Sequence, residues 1–509
     1  MERVIGSRPH DFPDCLRHAV KDTAPSIAII GAGFAGLGMG YYLKKAGFES
    51  FAIFEKARDI GGVWRENTYP GAACDVPSHL YSFSFDPHYP WSKAFGPQRE
   101  ILDYLHQVAH KHDLMRHIRF GHEVEGASFD EARGVWLIRF VHGATTEVRV
   151  LVSAVGQLHR PVLPDIPGIE TFQGPMFHSA RWDHAFDPAG KTVASIGAGP
   201  SAIQYVPEIA KQAKRLHVFQ RTPAWCVHKA DRAYSRPERW LLRHWPWTHT
   251  LDRLRIFWYV EFVASVIQKK SMFHWFSRRL VRLIHGHLLR KNVADPSLRA
   301  KLTPDFPVGC KRLLFSNDWF ATLTQPNVEL VTEAITEITP NGIVTADGRC
   351  RPVDAIICGT GFAATQFLAP MAITGRDGTS LRERWKAGAE AYLGLTVADF
   401  PNFFMLYGPN TNLGVGTIIF MLERQQRYVV KCIELLRDRD LRWLEVRADA
   451  QSEFNAELER RSRELAYLGG CNSWYLVDGR NTQNWVGYMS EYGRRLRRPQ
   501  LAHYSLIST

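Results

Sequence analysis

The chain has 509 residues, of which 45% are hydrophobic and 22% charged, as is typical of a soluble globular protein. The length excludes a single compact core and predicts two or three domains. The formal net charge of +12 favours a phosphate-bearing ligand or an anionic surface, and no recognition motif supports binding to a nucleic acid.

Cysteine usage predicts neither a metal site nor a disulfide framework. The eight cysteines are scattered, without a CxxC pair or metal-ligand spacing. The first 25 residues lack the apolar run of a signal peptide, so we expect a reducing, cytoplasmic setting. The longest aromatic and apolar stretch, residues 256–267, contains Glu261 and is too short to span a bilayer.

Two segments repeat one pattern of strand, glycine-rich turn and helix. Residues 26–47 (SIAIIGAGFAGLGMGYYLKKAG) and 192–213 (TVASIGAGPSAIQYVPEIAKQA) each start with an apolar strand and end in a helix with apolar residues three to four positions apart. A second strand follows each segment and ends 24 positions after the first turn glycine, at Glu55 and at Arg221. This context is that of a dinucleotide-binding motif, so we predict an α/β fold with two Rossmann-like domains.

The residue at the end of the second strand of each repeat indicates which nucleotide that domain binds. Glu55 can accept hydrogen bonds from both hydroxyls of an unphosphorylated ribose, whereas Arg221 suits a 2′-phosphate and Thr222 adds a hydroxyl donor. We therefore predict FAD in the first domain and NADPH, rather than NADH, in the second; the alternative for Arg221 is a solvated cation at a strand end. Gly31 and Gly197 allow the tight turn, Gly33 and Gly199 let the backbone approach the pyrophosphates, and Gly36 and Ala202 permit close packing of the helix. The residues assigned to the two sites are Gly31, Gly33, Phe34, Ala35 and Gly36 for FAD, and Gly197, Gly199, Pro200, Ser201 and Ala202 for NADPH.

Further glycine-bearing strand ends, at residues 150–157 and 354–362, predict two chain crossings between the domains. The FAD domain would then be discontinuous, 1–159 and 361–509, around an NADP domain at 160–360. Within the latter, residues 232–302 are basic and rich in aromatic residues and predict a helical insertion. Such helices can lie on a membrane surface, but a charge run is more often a solvated face, and we expect the latter.

Two signatures resemble those of the Baeyer–Villiger monooxygenases, which are class B flavin-containing monooxygenases. The family fingerprint FxGxxxHxxxW(P/D) is matched in FQGPMFHSARWD by Phe172, Gly174, His178, Trp182 and Asp183. The second family signature is matched in GGVWRENTYPGAACD by Gly62, Trp64, Tyr69, Pro70, Gly71 and Asp75. The fold-related flavin N- and S-oxygenases usually carry Tyr or Phe at the position of Trp182, so the ketone-oxidising branch is favoured.

The resemblance implies a chemistry and assigns residues to it. NADPH reduces FAD, O2 adds to the flavin, and the flavin peroxide anion attacks a ketone to give an ester or lactone. Arg312 of GCKRLL would be the cation beside this anion, oriented by Asp75, with Lys311 at the 2′-phosphate. A basic pair on a loop surface, and a turn or cap role for Asp75, remain the alternatives. The resemblance also assigns Gly62, Val63, Trp64, Tyr81 and Val124 to the FAD site, where each could instead be core.

The remaining expectations concern the linker and the pocket. His178 is a tempting general acid or base, but the resemblance places the fingerprint on an interdomain linker that His178 would hold in a hydrogen-bonded conformation. Residues 407–420 and 471–485 are candidate pocket walls, although Trp474, Tyr475 and Trp485 are equally read as core. The partners would be O2 and a hydrophobic ketone. The alternatives are N- or S-oxygenation, a disulfide or quinone reductase, which normally needs a cysteine pair, and a nucleotide-sensing module without catalysis.

Overall fold

The computed structural model describes residues 26–245, 247–466 and 475–508. Its strands are β1 (Ile27–Ile30), β2 (Phe51–Glu55), β3 (Ile118–Phe120), β4 (Val124–Asp130), β5 (Val135–Phe140), β6 (Thr145–Val148), β7 (Val150–Ser153), β8 (Met176–His178), β9 (Thr192–Ile196), β10 (Arg215–Phe219), β11 (Cys226–Val227), β12 (Leu314–Phe315), β13 (Val328–Val331), β14 (Ile335–Thr339), β15 (Gly342–Thr345), β16 (Cys350–Pro352), β17 (Ala355–Cys358), β18 (Ala372–Thr374), β19 (Phe403–Met405), β20 (Leu441–Val446), β21 (Leu476–Val477), β22 (Arg480–Asn481) and β23 (Tyr504–Ser508). Its helices are α1 (Phe34–Lys45), α2 (Val63–Glu66), α3 (Gln98–Lys111), α4 (Ala202–Ala210), α5 (Arg236–His244), α6 (Trp247–Ala264), α7 (His274–Asn292), α8 (Pro296–Leu302), α9 (Trp319–Thr322), α10 (Leu381–Arg384), α11 (Ile418–Asp438), α12 (Ala448–Ser462) and α13 (Met489–Arg495).

The first parallel sheet has the order β19-β7-β1-β2-β3. Its central strands β1 and β7 are buried along their whole length, which accounts for their unbroken apolar sequences. Helix α1 follows β1 directly and packs against α11. Because β19 comes from the C-terminal part of the chain, this sheet is assembled from two separated stretches.

The second parallel sheet has the order β13-β10-β9-β17-β8. In the sequence, its strands fall between the two stretches that build the first sheet. Strand β9 pairs with β10 and β17, and helix α4 follows β9 as α1 follows β1. Two sheets with the same strand, turn and helix order confirm the predicted α/β fold with its two nucleotide-binding units.

Helices α5 to α8 lie in the chain between β11 and β12, which pair with each other in a separate two-stranded sheet. They also contact the first unit. Asp252 lies 2.8 Å from His79 Nδ1, and Glu261 accepts a hydrogen bond from the backbone N–H of Met489 at 2.9 Å. The helices therefore bridge both nucleotide units. Within the described ranges, no helix combines the length and apolarity needed to cross a membrane.

One cysteine departs from the sequence expectation. Cys74, Cys226, Cys350, Cys358 and Cys432 are free thiols, but Cys310 is disulfide-bonded. The expectation of a chain without disulfides is therefore wrong at Cys310. Spacing along the sequence does not reveal which cysteines approach each other in a fold built from separated stretches.

Candidate active site

Glycine is required at the first position of both nucleotide turns. Gly31 has φ +104°, and a Cβ added there would lie 2.8 Å from the carbonyl oxygen of Ala154. Gly197 has φ +113°, and its added Cβ would lie 2.4 Å from the carbonyl oxygen of Gly359. Neither site tolerates a side chain. In each unit the chain thus turns tightly against a neighbouring strand and directs the N-terminus of α1 or α4 towards the crevice.

Glu55 ends β2 and is buried beside the first turn. Its carboxylate accepts hydrogen bonds from the backbone N–H groups of Ala32, at 2.9 Å, and Ala57, at 3.0 Å. Arg65 lies 3.3 Å away as a counter-ion. An ionised carboxylate accepts about four hydrogen bonds and Glu55 already accepts three, so it retains capacity for about one ribose hydroxyl.

The segment that contains the second signature covers the N-terminus of α1. Gly62, at the start of α2, faces Gly33, whose added Cβ would lie 3.7 Å from the Gly62 Cα. The indole N–H of Trp64 donates to the Tyr81 hydroxyl at 3.0 Å, and the Tyr81 ring packs 5.3 Å from that of Phe34. These residues, with Val63 between them, form one wall of the first crevice.

Val124 is the first residue of β4 and follows a backbone contact with Glu55. The backbone N–H of His122 donates to the backbone carbonyl oxygen of Glu55 at 3.0 Å, which holds the segment before β4 beside the end of β2. The Val124 side chain itself is buried in the core. Any contribution of Val124 to a ligand therefore comes from its backbone.

In the second unit, two cations and a hydroxyl converge at the end of β10. Lys311 donates to the hydroxyl oxygen of Thr222 at 3.0 Å. Burial and the neighbouring Arg221 guanidinium lower the pKa of Lys311 below its usual range. The positive charges of Lys311 and Arg221 repel each other, so a bound anion would stabilise this site. The turn from Gly199 to Ser201 opens towards the same crevice, and nothing lies within 4 Å of a Cβ added at Gly199.

Arg312 and Asp75 form an ion pair between the two units. The guanidinium donates from Nη2 to Oδ2 of Asp75, and the two side chains are 32% and 24% exposed. The Asp75 charge raises the pKa of Arg312 despite the opposing effect of burial. Arg312 therefore stays positive at every physiological pH, with part of its surface open to a small pocket.

The pocket beside Arg312 has mainly apolar walls. Its lining comprises Val266, Ile267, Gly309, Lys311, Arg312, Leu313, Gly414, Val415 and Tyr475. Gly414 and Val415 belong to the stretch 407–420, which the sequence predicts as a wall. Apolar walls around a fixed cation lower the local dielectric constant and strengthen its interaction with a negative charge.

Gln204 on α4 fastens the Asp75 segment to the second unit. The Tyr69 hydroxyl donates to the Gln204 side-chain oxygen at 3.0 Å, and the Gln204 amide donates to the carbonyl oxygen of Ala73 at 3.0 Å. A Cβ at Gly71 would lie 2.6 Å from the Gln204 backbone oxygen, so the contact is tight. Sequence analysis missed Gln204; the only signal is a half-buried amide within the apolar helix AIQYVPEIA.

His178 lies on the edge strand β8, paired with Cys358 of β17. Residues 176–178 of the fingerprint thus form the edge of the second sheet. His178 is buried, its Nδ1 accepts from the backbone N–H of Ala180 at 3.1 Å, and its ring lies 5.6 Å from that of Phe362. Burial lowers the pKa of His178, which favours the neutral ring. The two crossing segments meet nearby, where the backbone N–H of Val162 donates to the carbonyl oxygen of Gly361 at 3.0 Å.

The other fingerprint residues support this corner of the second unit. The Trp182 ring packs 5.6 Å from Tyr205 of α4, and Asp183 accepts from the backbone N–H of Ala185 at 2.9 Å. A Cβ at Gly174 would lie 2.4 Å from the carbonyl oxygen of Asp354, and the Phe172 ring lies over the same glycine. The fingerprint therefore packs helix α4 and the start of β17 together.

A chain of buried polar residues behind Arg312 escaped sequence analysis. The Tyr407 hydroxyl donates to Asn412 at 2.7 Å, and the Asn412 amide donates to Asn484 at 2.7 Å. Tyr407 has φ +63°, which is rare for a tyrosine. Tyr475 is also buried and lines the pocket, while Trp485 is 2% exposed and belongs to the core; Trp474 lies outside the described residues.

Comparison with known proteins decides the family. Residues 24–371 match the family model FMO-like, flavin-binding monooxygenase-like. A Baeyer–Villiger monooxygenase of Pseudomonas aeruginosa is 41% identical over 513 aligned positions, which cover 100% of this chain and 95% of the relative. The chain belongs to the Baeyer–Villiger monooxygenases. The resemblance drawn from the two signatures is thereby confirmed.

Two further Baeyer–Villiger comparisons agree. A Baeyer–Villiger monooxygenase of Streptomyces coelicolor is 43% identical over 484 positions, covering 94% of this chain and 92% of the relative. The crystal structure of OTEMO in complex with FAD and NADP has a TM-score of 0.83 and 29% identity, with 95% of this chain and 99% of that chain covered. The likeness thus extends across both nucleotide units.

Proposed function

We propose that the protein is an FAD-containing, NADPH-dependent monooxygenase that inserts one oxygen atom of O2 beside a ketone carbonyl, giving an ester or lactone. The Arg312–Asp75 ion pair carries this proposal. It places a guanidinium that keeps its charge between a crevice suited to FAD and a crevice suited to NADPH. Oxygen insertion of this kind needs a permanent positive charge beside a reacting oxygen anion.

The described residues fit both cofactors. In the first crevice, the turn at Gly31 leaves no room for a side chain, and Glu55 retains acceptor capacity for the FAD ribose. In the second, Arg221, Thr222 and Lys311 form the 2′-phosphate site of NADPH. We assign residues 1–159 and 361–509 to FAD and 160–360 to NADPH. When bound, FAD supplies the activated oxygen after NADPH has reduced it.

Arg312 stabilises negative charge in the pocket, and Asp75 sets the direction in which its N–H groups point. One carboxylate oxygen accepts from Nη2, so the remaining guanidinium donors are directed elsewhere. The phenols near Arg312 hold their protons, because burial raises the pKa of Tyr475 to about 12 and raises that of Tyr407 as well. Neither phenol titrates at neutral pH, and the Tyr407 hydroxyl donates to Asn412 rather than to the pocket.

The side chains around the small pocket beside Arg312 favour contact with a hydrophobic ketone over a polar one. Val266, Ile267 and Leu313 line it together with Arg312. Apolar walls exclude water, which would otherwise compete for the oxygen anion and waste NADPH as hydrogen peroxide. Substrate binding is therefore expected to depend on apolar contact area, with the guanidinium as the polar contact for the carbonyl.

Product analysis with labelled oxygen tests the proposal. Purified protein with FAD, NADPH and ¹⁸O2 is incubated with cyclic, linear and aryl ketones, one tertiary amine and one sulfide, and products are identified by mass spectrometry. We expect esters or lactones carrying one ¹⁸O atom. N-oxide or sulfoxide without any ester would contradict the ketone assignment, and a colourless protein that does not take up added FAD would refute the flavin assignment.

A further inference from the structure

Exposed apolar side chains are concentrated on helices α5 to α7. Of the 20 large hydrophobic residues that are exposed in the described chain, 14 lie between residues 240 and 283. We call this set the aromatic face. It comprises Trp240, Trp245, Trp247, Leu251, Leu254, Trp258, Tyr259, Phe262, Met272, Phe273, Trp275, Phe276, Leu280 and Leu283. Apolar patches of such extent mark interaction surfaces.

Helix α6 presents apolar residues on two opposite faces. Ile256 and Val260 are buried against the protein, as expected for a helix packed on a core. On the outer side, the positions 247, 251, 254, 258 and 262 recur every three or four residues and carry Trp, Leu, Leu, Trp and Phe. Trp258 and Phe262 are 63% and 38% exposed, in a position where charged side chains normally occur. Folding of this chain leaves the outer stripe uncovered.

Exposed aromatic residues of the three helices contact one another where the helices meet. Trp240 and Trp247 flank Trp245, with ring centroids 6.2 Å from it in both cases. At the other end of α6, the Phe262 ring contacts that of Phe273 at 5.6 Å, just before α7 begins. Ring contacts therefore connect the aromatic residues of α5 with the start of α6, and the end of α6 with the start of α7.

Positive charge accompanies the aromatic face. Residues 232–302 contain 15 Lys and Arg against 4 Asp and Glu, a net +11 of the +12 carried by the whole chain. Arg255, Arg279 and Arg282 are exposed among the aromatic residues, and the Arg279 guanidinium lies 5.3 Å from the centroid of the Trp275 ring. Nearly all the net charge of the protein thus belongs to the segment with the uncovered apolar surface.

We propose that the aromatic face docks on the surface of an anionic lipid bilayer, with α6 and α7 lying in the plane of the headgroups. Tryptophan, tyrosine and phenylalanine bury their rings at the headgroup boundary while arginine and lysine pair with lipid phosphates. A second copy of this chain is a poor occupant, since two segments of net +11 repel each other. The phosphates of an anionic leaflet carry the charge opposite to that of the face.

The aromatic face also adjoins the Arg312 pocket. Phe262 is exposed, and Val266, which follows just after the end of α6, lines the pocket together with Ile267. An apolar ketone dissolved in the bilayer would reach the pocket from the docked side. This route rests on the proposed function, whereas the docking does not.

Vesicle co-sedimentation of the FAD-loaded protein, without NADPH or ketone, tests the docking independently of catalysis. We expect binding to equimolar phosphatidylcholine and phosphatidylglycerol and little binding to phosphatidylcholine alone. Raising salt from 0.1 to 1 M shortens the Debye length from about 10 to about 3 Å, so it should weaken binding. Brominated lipids should quench tryptophan fluorescence of the bound protein. Absence of binding to the anionic vesicles would overturn the proposal, and so would unquenched fluorescence.

Variants at exposed positions locate the contact. The triple variant Trp247→Ser, Trp258→Ser, Trp275→Ser should lower the vesicle partition coefficient at least about tenfold, since each ring loses its apolar contact area. Arg255→Gln, Arg279→Gln and Arg282→Gln together should abolish the preference for phosphatidylglycerol. The matched control Val141→Ser, Val162→Ser, Leu163→Ser removes exposed apolar residues elsewhere and should bind like the parent protein.

Two outcomes separate lipid from other occupants. Unchanged vesicle binding by the tryptophan variant would overturn the assignment of this face. A concentration-dependent dimer in light scattering that the tryptophan variant abolishes would identify a second copy as the occupant, and would overturn the proposal as well. Retained FAD absorbance in each variant shows that the fold is intact.

Discussion

Replacing Arg312 by alanine should separate the two half-reactions. The 2′-phosphate site of Arg221, Thr222 and Lys311 does not include this guanidinium, so Arg312→Ala should still oxidise NADPH and reduce the flavin. Oxygen insertion should fail, because the pocket loses its permanent charge and Asp75 loses the partner to which it is bonded. NADPH consumption would then yield hydrogen peroxide in place of ester.

The size of the loss follows from the surroundings of the pair. Removal of one donor to a developing negative charge in a water-excluded site costs about 2.7–4 kcal/mol, a factor of ~100 to ~1000 in rate. The side chains of Arg312 and Asp75 are 32% and 24% exposed, so solvent screens part of the interaction. We therefore expect the lower end, about a 100-fold slower ester formation.

Two measurements check this expectation. Anaerobic stopped-flow absorbance follows flavin reduction by NADPH, and gas chromatography measures ester formed per NADPH consumed. Lys311→Ala is the matched control, which should raise the KM for NADPH while leaving the ester yield per NADPH unchanged. Ester formation by Arg312→Ala at a rate near that of the parent protein would refute the role of the guanidinium in oxygen insertion. Loss of flavin reduction in this variant would instead assign Arg312 to NADPH binding.

Three further predictions concern selectivity, the domain contact and pH. Arg221→Ala should lower the NADPH preference over NADH by about 10- to 150-fold, or 1.5–3 kcal/mol, in steady-state kinetics; an unchanged ratio removes Arg221 from the site. His178→Ala should retain FAD, as judged by absorbance, but lose ester formation; a normal yield argues against its role at the crossing. Burial, with nearby His79 and His88, lowers the pKa of His249 to about 4. Unfolded histidine titrates near 6.5, so the unfolded chain binds the extra proton first, and the free energy of unfolding should fall by up to about 3 kcal/mol between pH 6.5 and 4. His249→Gln should flatten this decline in urea titrations, and equal slopes would refute it.

Local motifs made much of the site predictable. A glycine-rich turn fixes its own geometry within a few residues, so counting along the chain locates Glu55 at the end of β2 and Arg221 near the end of β10, two positions after its last residue. The convergence of Lys311 on Thr222, and of Arg312 on Asp75, was predicted only through the family resemblance. Nothing within either short segment indicates which distant residues it will meet.

Contacts between separated stretches account for what sequence analysis missed. Gln204 reaches the Asp75 segment across the two units, and Asn412 joins Asn484 from a loop 72 positions away. The outer stripe of α6 was hidden for a different reason. Apolar residues occur on both faces of this helix, so periodicity alone cannot show that one face stays uncovered.

The Gln204 contact sets a rule for exchanging parts between relatives. Asp75 enters from the stretch that builds the first unit, whereas its guanidinium partner enters from the second, and α4 holds the two in register. In a chimera that takes residues 69–75 from one parent and α4 from another, the two contacting surfaces would come from different proteins. Recombined variants that take both segments from the same parent should use NADPH to form ester. Variants that take the two segments from different parents should consume NADPH and release hydrogen peroxide instead.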